Sequence, residues 1–277
     1  MGSGPDPMLV VSLSSVPPRF GKIGATLRSL VVQGADRVEL QIPHAYRRFP
    51  DWDGTLPDVP EGVTIRRTAE DWGPATKLLG ALAAWRDADT RILFCDDDQY
   101  YAPDWASRFL RLSDARPDTA IAMLGMQVDE DAQASRPLQP RMQRRWRITD
   151  AEFQVRYLWQ DLTKGRDLPA PGRRVVKRSG YADVFEGRGG VLVRPGFFGP
   201  EVFDVPDAAW AVDDVWLSAC VAKTGVPIWV QGGYRDPTDT EAEVEDPLCR
   251  TEVGGVRRDE ANRRAVDHVR TRFGIWR

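Results

Sequence analysis

Apolar residues fall in short continuous runs and in three-to-four-residue steps, and the two patterns alternate along the chain. Met8 to Leu13 is an apolar run closed by Ser14-Ser15-Val16-Pro17-Pro18, which predicts a strand and a restricted loop. Ile23, Leu27, Leu30 and Val31 then keep helical spacing, and Val38 to Ile42 predicts a second strand stopped by Pro43. Val63 to Ile65 predicts a third strand after a Pro/Asp/Gly-rich stretch. Leu78, Leu79, Leu82 and Trp85 predict a helix from Pro74 to Trp85, with the proline in its first turn. Ile92-Leu93-Phe94-Cys95 is apolar at every position, as in a strand covered on both faces, and it runs directly into Asp96-Asp97-Asp98.

Pro103 to Leu112 predicts a helix and Thr119 to Gly125 a strand. Further on, Gly189 to Val193 and Pro227 to Val230 read as strands, and Asp213 to Lys223 and Asp259 to Phe273 as helices. Asp129 to Ser179 is polar and shows no long periodic segment, so it is expected to cover a site rather than build the core. Alternating strands and helices predict one α/β domain with a mainly parallel sheet flanked by helices. Residues 1–7 read as a cloning remnant ahead of the first strand.

The 277 residues suffice for one large domain, and 42% hydrophobic with 29% charged residues is the balance of a folded chain. A net charge of -3 gives no overall attraction to nucleic acid or anionic lipid, so no nucleic-acid partner is expected and anion binding must be local. One such cluster is Arg141, Arg144, Arg145 and Arg147 around Trp146. It suits an anionic acceptor, a lipid-linked diphosphate or a membrane surface, or is a solvated loop. Cys95, Cys220 and Cys249 are odd in number and form no CxxC pair, which fits a reducing compartment. Without a secretion signal or an apolar run of about 18 residues, the expected location is the cytoplasm, with peripheral contact at the inner face of the membrane left open.

In open α/β sheets the ligand crevice lies beyond the carboxyl ends of the strands, where Asp96, Asp97 and Asp98 are expected. Three adjacent carboxylates repel one another unless a cation or hydrogen-bond donors compensate, and hard divalent ions favour oxygen ligands. A Mn2+ or Mg2+ site is one reading; a solvated acidic turn is the other. Asp213-Asp214 opens an apolar helix, where the backbone dipole alone favours carboxylates. A carboxylate there also suits proton removal from an acceptor hydroxyl, with Asp214 the candidate and Asp213 beside it. Lys77 is placed to meet a phosphate or to pair with Asp71, and Arg19, after two prolines, to present its guanidinium to an anion. Both also suit an exposed surface.

The segments Ser12-Leu13-Ser14-Ser15-Val16-Pro17-Pro18-Arg19, Asp71-Trp72-Gly73-Pro74-Ala75-Thr76-Lys77-Leu78, Asp96-Asp97-Asp98 and Asp213-Asp214-Val215-Trp216 together resemble a bacterial family 2-like glycosyltransferase of the GT-A (Rossmann-like) fold. The resemblance spans roughly Met8 to Val230 and extends to the exostosin-type transferases. It implies a nucleotide-binding half over 8–126 and an acceptor-binding half over 127–277. It further implies that Ser12, Ser14, Arg19, Asp71 and Lys77 lie along the nucleotide sugar, a UDP-sugar. Asp98 would bind the metal, Asp96 would lie near the ribose and metal, and Asp97 would act through water or by supporting a direct ligand. Gly187-Arg188-Gly189-Gly190 resembles the glycine segment beside the donor sugar, which makes Gly189 and Gly190 candidates. Such enzymes often add a C-terminal histidine to the metal, and His268 has that general location. The implied activity is hexosyl transfer to a saccharide or lipid-linked saccharide in bacterial surface-glycan synthesis. A metal-dependent nucleotidyl- or phosphotransferase would use the same acids, although no GxxxxGKS/T loop is present. A cation- or glycan-binding domain without catalysis is the third reading.

Overall fold

The computed structural model describes residues 7–86, 88–129, 136–164, 170–244 and 258–276. Its centre is an eight-stranded sheet of β1 (Met8–Ser14), β2 (Arg37–Pro43), β3 (Val63–Thr68), β4 (Thr90–Phe94), β5 (Ala120–Ala122), β6 (Gly180–Ala182), β7 (Val191–Val193) and β8 (Ile228–Val230). Their order is β6-β8-β5-β7-β4-β1-β2-β3. The β1–β2, β1–β4, β2–β3 and β5–β8 pairs are parallel, whereas β7 runs antiparallel to both β4 and β5, and β6 to β8. The sheet is therefore mainly parallel, with an antiparallel strand threaded through its middle.

Strand alternation divides the core between the two faces. Leu9, Val11 and Leu13 of β1 and Leu93 of β4 join the cluster built with α1 (Gly24–Val31) and α3 (Trp105–Ala115). Ile92 and Phe94 of β4 face the other cluster, with Leu78, Leu79 and Leu82 of α2 (Thr76–Trp85) and Trp216 of α5 (Asp213–Lys223). Every residue of β4 is buried, as its unbroken apolar run requires. Among the described residues no helix is long and apolar enough to cross a membrane.

Three expectations about elements change. The strand expected over Thr119 to Gly125 stops at Ala122, and Gly125–Met126 instead pairs with Val184–Phe185. There a Cβ on Gly125 would lie 2.7 Å from the carbonyl oxygen of Val184, so glycine permits the close approach. Gly189 belongs to the 3-10 turn Gly187–Gly189, and the strand begins only at Val191. Within the polar stretch from Asp129 to Ser179, α4 (Ala151–Lys164) forms a fourteen-residue helix. Val155, Leu158, Trp159 and Leu162 do keep helical spacing, but that short stripe lies outside the core, so it carries no long periodic signal through the polar stretch. α6 (Arg258–Phe273) packs against α5.

Phe94 is fully buried, and its ring meets that of Phe185 edge-on at a centroid distance of 5.6 Å. Phe94→Ala is expected to cost about 3–5 kcal/mol of stability, read as a lower urea midpoint with an unchanged m-value.

Candidate active site

β1 and β4 end side by side, with Ser12 in register with Phe94 and the Cys95 amide donating to the Ser12 carbonyl at 3.1 Å. This pairing carries the loop after β1 and the three aspartates to the same carboxyl end of the sheet. Asp97 turns inward: its carboxylate accepts hydrogen bonds from the Ser15 hydroxyl and from Arg19 Nη1, the latter at 2.6 Å. The Thr26 hydroxyl of α1 donates to the Asp97 carbonyl at 2.8 Å. Burial pushes the Asp97 carboxyl above its ordinary range, against the opposing pull of Arg19 and Ser15. Burial on its own would lower the Arg19 pKa, but Asp97 and Asp98 outweigh it and hold the guanidinium firmly charged.

Asp98 points along the cleft, accepting from Arg19 at 3.2 Å and from the Gln99 amide at 3.0 Å. Burial, with Asp97 and Asp96 nearby, pushes its carboxyl up to about 6, while Arg19 and Gln99 pull the other way. Negative charge is thus crowded at Asp98 by its neighbours. Oxygen donors in that condition fit a hard cation, and Mg2+ needs only one or two carboxylates when phosphate oxygens complete its shell. Among the described residues no group of three His, Cys, Asp or Glu side chains is gathered around one metal position. Asp98 and Asp96 line the cleft and could supply carboxylate oxygens to such an ion.

The second acidic pair comes to the same place through Lys77. Its ammonium is buried 2.6 Å from Asp96 and 3.0 Å from Asp213, the first residue of α5. Burial alone would lower its pKa; Asp213, Asp96 and Asp214 together raise it well above the usual lysine value. Asp214 accepts a hydrogen bond from the Gly187 amide at 3.0 Å. A Cβ on Gly187 would stand 2.7 Å from Lys77 Nζ and 3.2 Å from an Asp96 oxygen, so the missing side chain makes room for the ion pair.

A cleft of about 430 Å³ opens over this arrangement. Ser14, Arg19, Asp71, Lys77, Asp96, Asp97, Asp98, Asp213 and Asp214 line it, bringing together nine residues singled out from the sequence. Asp71 also shapes the backbone, accepting from the Arg47 amide at 2.7 Å and the Gly73 amide at 2.8 Å.

The remaining candidates lie elsewhere. Ser12 is buried beneath the cleft, donating to the Lys77 carbonyl at 2.6 Å. Gly189 accepts from the Trp105 indole at 3.0 Å, and Gly190 has φ of 92° with space for a Cβ closed by that ring at 2.4 Å. These glycines seat Trp105 rather than face the cleft. His268 is not among the lining residues, and its Nε2 is buried without a hydrogen-bond partner among the described residues. The same helix presents Asn262 to the cleft, and six residues of α-helix turn His268 about 120° away from it. Ser15 and Gly187 lie at the site although the sequence marked them only as members of their motifs, and Glu186 beside them was not made a candidate. Ser15 sits inside a marked motif, but nothing in the sequence separates its role from that of Ser14.

No family model matches the sequence, and no curated protein matches it significantly. Among solved structures, the chain is similar to "Crystal structure of S. aureus TarS 1-349", at 11% identity and a TM-score of 0.41. The match covers 83% of this chain and 59% of the other, so the chain spans less than two thirds of that structure. A likeness at that level does not carry an activity from one protein to another.

Lys77→Met would leave Asp96 and Asp213 facing each other without their shared cation, and an expected loss of about 3–5 kcal/mol follows. Because the folded-state pKa lies above the unfolded value, lysine's contribution is complete below the latter and is lost only as pH rises through the former. Denaturation of both proteins from about pH 7 to 9 should therefore show a constant gap attributable to this group. A gap that closes within that range contradicts the assignment.

Proposed function

We propose that this chain is a metal-dependent glycosyltransferase that moves a hexose from a nucleoside diphosphate sugar, UDP-linked, to a saccharide acceptor. The observation that carries the reading is the meeting of two acidic segments across one buried ammonium, in a cleft at the carboxyl ends of parallel strands. Acids with only a capping role would not need to share Lys77. The wider setting, bacterial surface-glycan synthesis with a saccharide or lipid-linked acceptor, comes from the sequence resemblance.

In this reading Asp98, with Asp96, would hold Mn2+ or Mg2+. The ion, when bound, supplies neutralising charge to the diphosphate as the bond to the sugar breaks. Arg19, held by Asp97, which the Ser15 hydroxyl fixes in turn, adds positive charge at the same end of the cleft. Lys77 is committed to Asp96 and Asp213, so it orders the carboxylates instead of swinging onto a ligand. Asp213 thereby acts as a positioning residue. Asp214 is oriented by the Gly187 amide and lines the cleft, which suits it to accept the proton of the acceptor hydroxyl as that oxygen bonds to the sugar's anomeric carbon.

The test is incubation with a panel of UDP-sugars and Mn2+, measuring released UDP. UDP release that is abolished by chelation is expected, with losses of about 100-fold in Asp98→Asn and about 100-fold or more in Asp214→Asn. Release of pyrophosphate, or transfer of phosphate to an acceptor, would instead identify a nucleotidyl- or phosphotransferase. Metal binding lost in Asp98→Asn without turnover of any donor across a broad acceptor panel would identify a binding domain.

A further inference from the structure

Helix α4 presents its apolar side outward. Val155, Leu158, Trp159 and Leu162 are 58–76% exposed, and their i, i+3, i+4, i+7 spacing confines them to an arc of about 100°. The opposite side holds the helix to the protein: Phe153 is buried, and its ring stacks with that of Tyr157 at 5.8 Å. Just before the helix, Ile148 is 90% exposed and Trp146 75%. A helix whose apolar stripe faces water at this density marks a contact surface.

Charge indicates what covers it. From Arg136 to Arg178 the chain carries twelve Lys or Arg against four Asp or Glu, a segment charge of +8 in a protein whose net charge is -3. The segment leading into the basic strand Val176–Arg178 is tied to the helix and to the residue before it. Arg156 donates to the Gly172 carbonyl at 2.8 Å, and buried Asp150 lies between Arg145 and Arg173 at 3.8 and 3.7 Å. Lys177 and Arg178 are exposed on that strand. A symmetric pairing of two copies through α4 would bring the +8 segment against itself, which opposes self-association. The stripe is also a ridge of Leu, Val and Trp on one helix, a shape that enters the boundary between lipid headgroups and acyl chains.

We propose that α4 and the basic segment around it dock the protein on an anionic lipid bilayer, with the apolar stripe in the interface and the exposed Arg147, Lys177 and Arg178 on the headgroups. This surface lies beside the catalytic candidate: Arg144 of the same segment lines the cleft and pairs with Glu186. The docking inference does not depend on the chemistry assigned to that cleft.

Sedimentation of the full chain with phosphatidylcholine vesicles, with and without about 30% phosphatidylglycerol, tests it. Binding is expected only to the anionic vesicles and should weaken between about 0.1 and 0.5 M salt. Leu158→Ser combined with Leu162→Ser should reduce partitioning at least about tenfold, and Lys177→Gln combined with Arg178→Gln by about tenfold. All four positions are exposed, so thermal melting should stay unchanged, which separates lost docking from lost folding. Absence of vesicle binding, or equal binding by the leucine variant, would overturn the proposal. So would a wild-type dimer that the leucine substitutions convert to monomer, since the face would then belong to a second copy.

Discussion

The site is organised around an ammonium buried between two carboxylates. Lys77 lies on a helix packed against the sheet, Asp96 at the end of a central strand and Asp213 at the start of a helix far along the chain. Removing an amine of this kind from water is costly unless its charge is matched, and here matching requires both acids at once. The ion pairs therefore constrain how the two parts of the chain meet. Gly187 completes the constraint, since a side chain there would occupy the space that Lys77 and Asp96 share.

Around that junction the carboxylates are differentiated by their partners. Asp97 is spent on Arg19 and Ser15, and Asp213 on Lys77. Asp98 retains the crowding of its neighbours, and Asp214 is steered by a backbone amide. Adjacent residues of one chemical type thus acquire different work. Backbone direction at a strand end sends successive side chains to different surroundings, and local donors then fix which carboxylate stays open to the cleft.

The molecule also separates its charges on a larger scale. Acids collect at the carboxyl ends of the central strands, whereas the segment containing α4 is strongly basic and carries an outward apolar stripe. The cleft proposed to take a metal and a diphosphate and the surface proposed to dock on anionic lipid lie side by side, joined through Arg144. The net charge of the chain conceals both.

Composition and periodicity alone determined the α/β class, the doubly buried strand that ends in Asp96-Asp97-Asp98, and the helix that opens at Asp213, because these are local patterns of apolar spacing. The helix α4 was legible from the spacing of Val155, Leu158, Trp159 and Leu162, although that stripe is short and lies in an otherwise polar stretch. Only the tertiary structure decided that β7 enters the sheet antiparallel, that Lys77 joins Asp96 to Asp213, and that Gly187 rather than Gly189 or Gly190 meets the acids. It also turned Ser12 beneath the cleft and His268 away from it. Such outcomes depend on strand order and on which face of a helix packs inward, and those follow from contacts between residues far apart in sequence, which spacing along the chain does not encode.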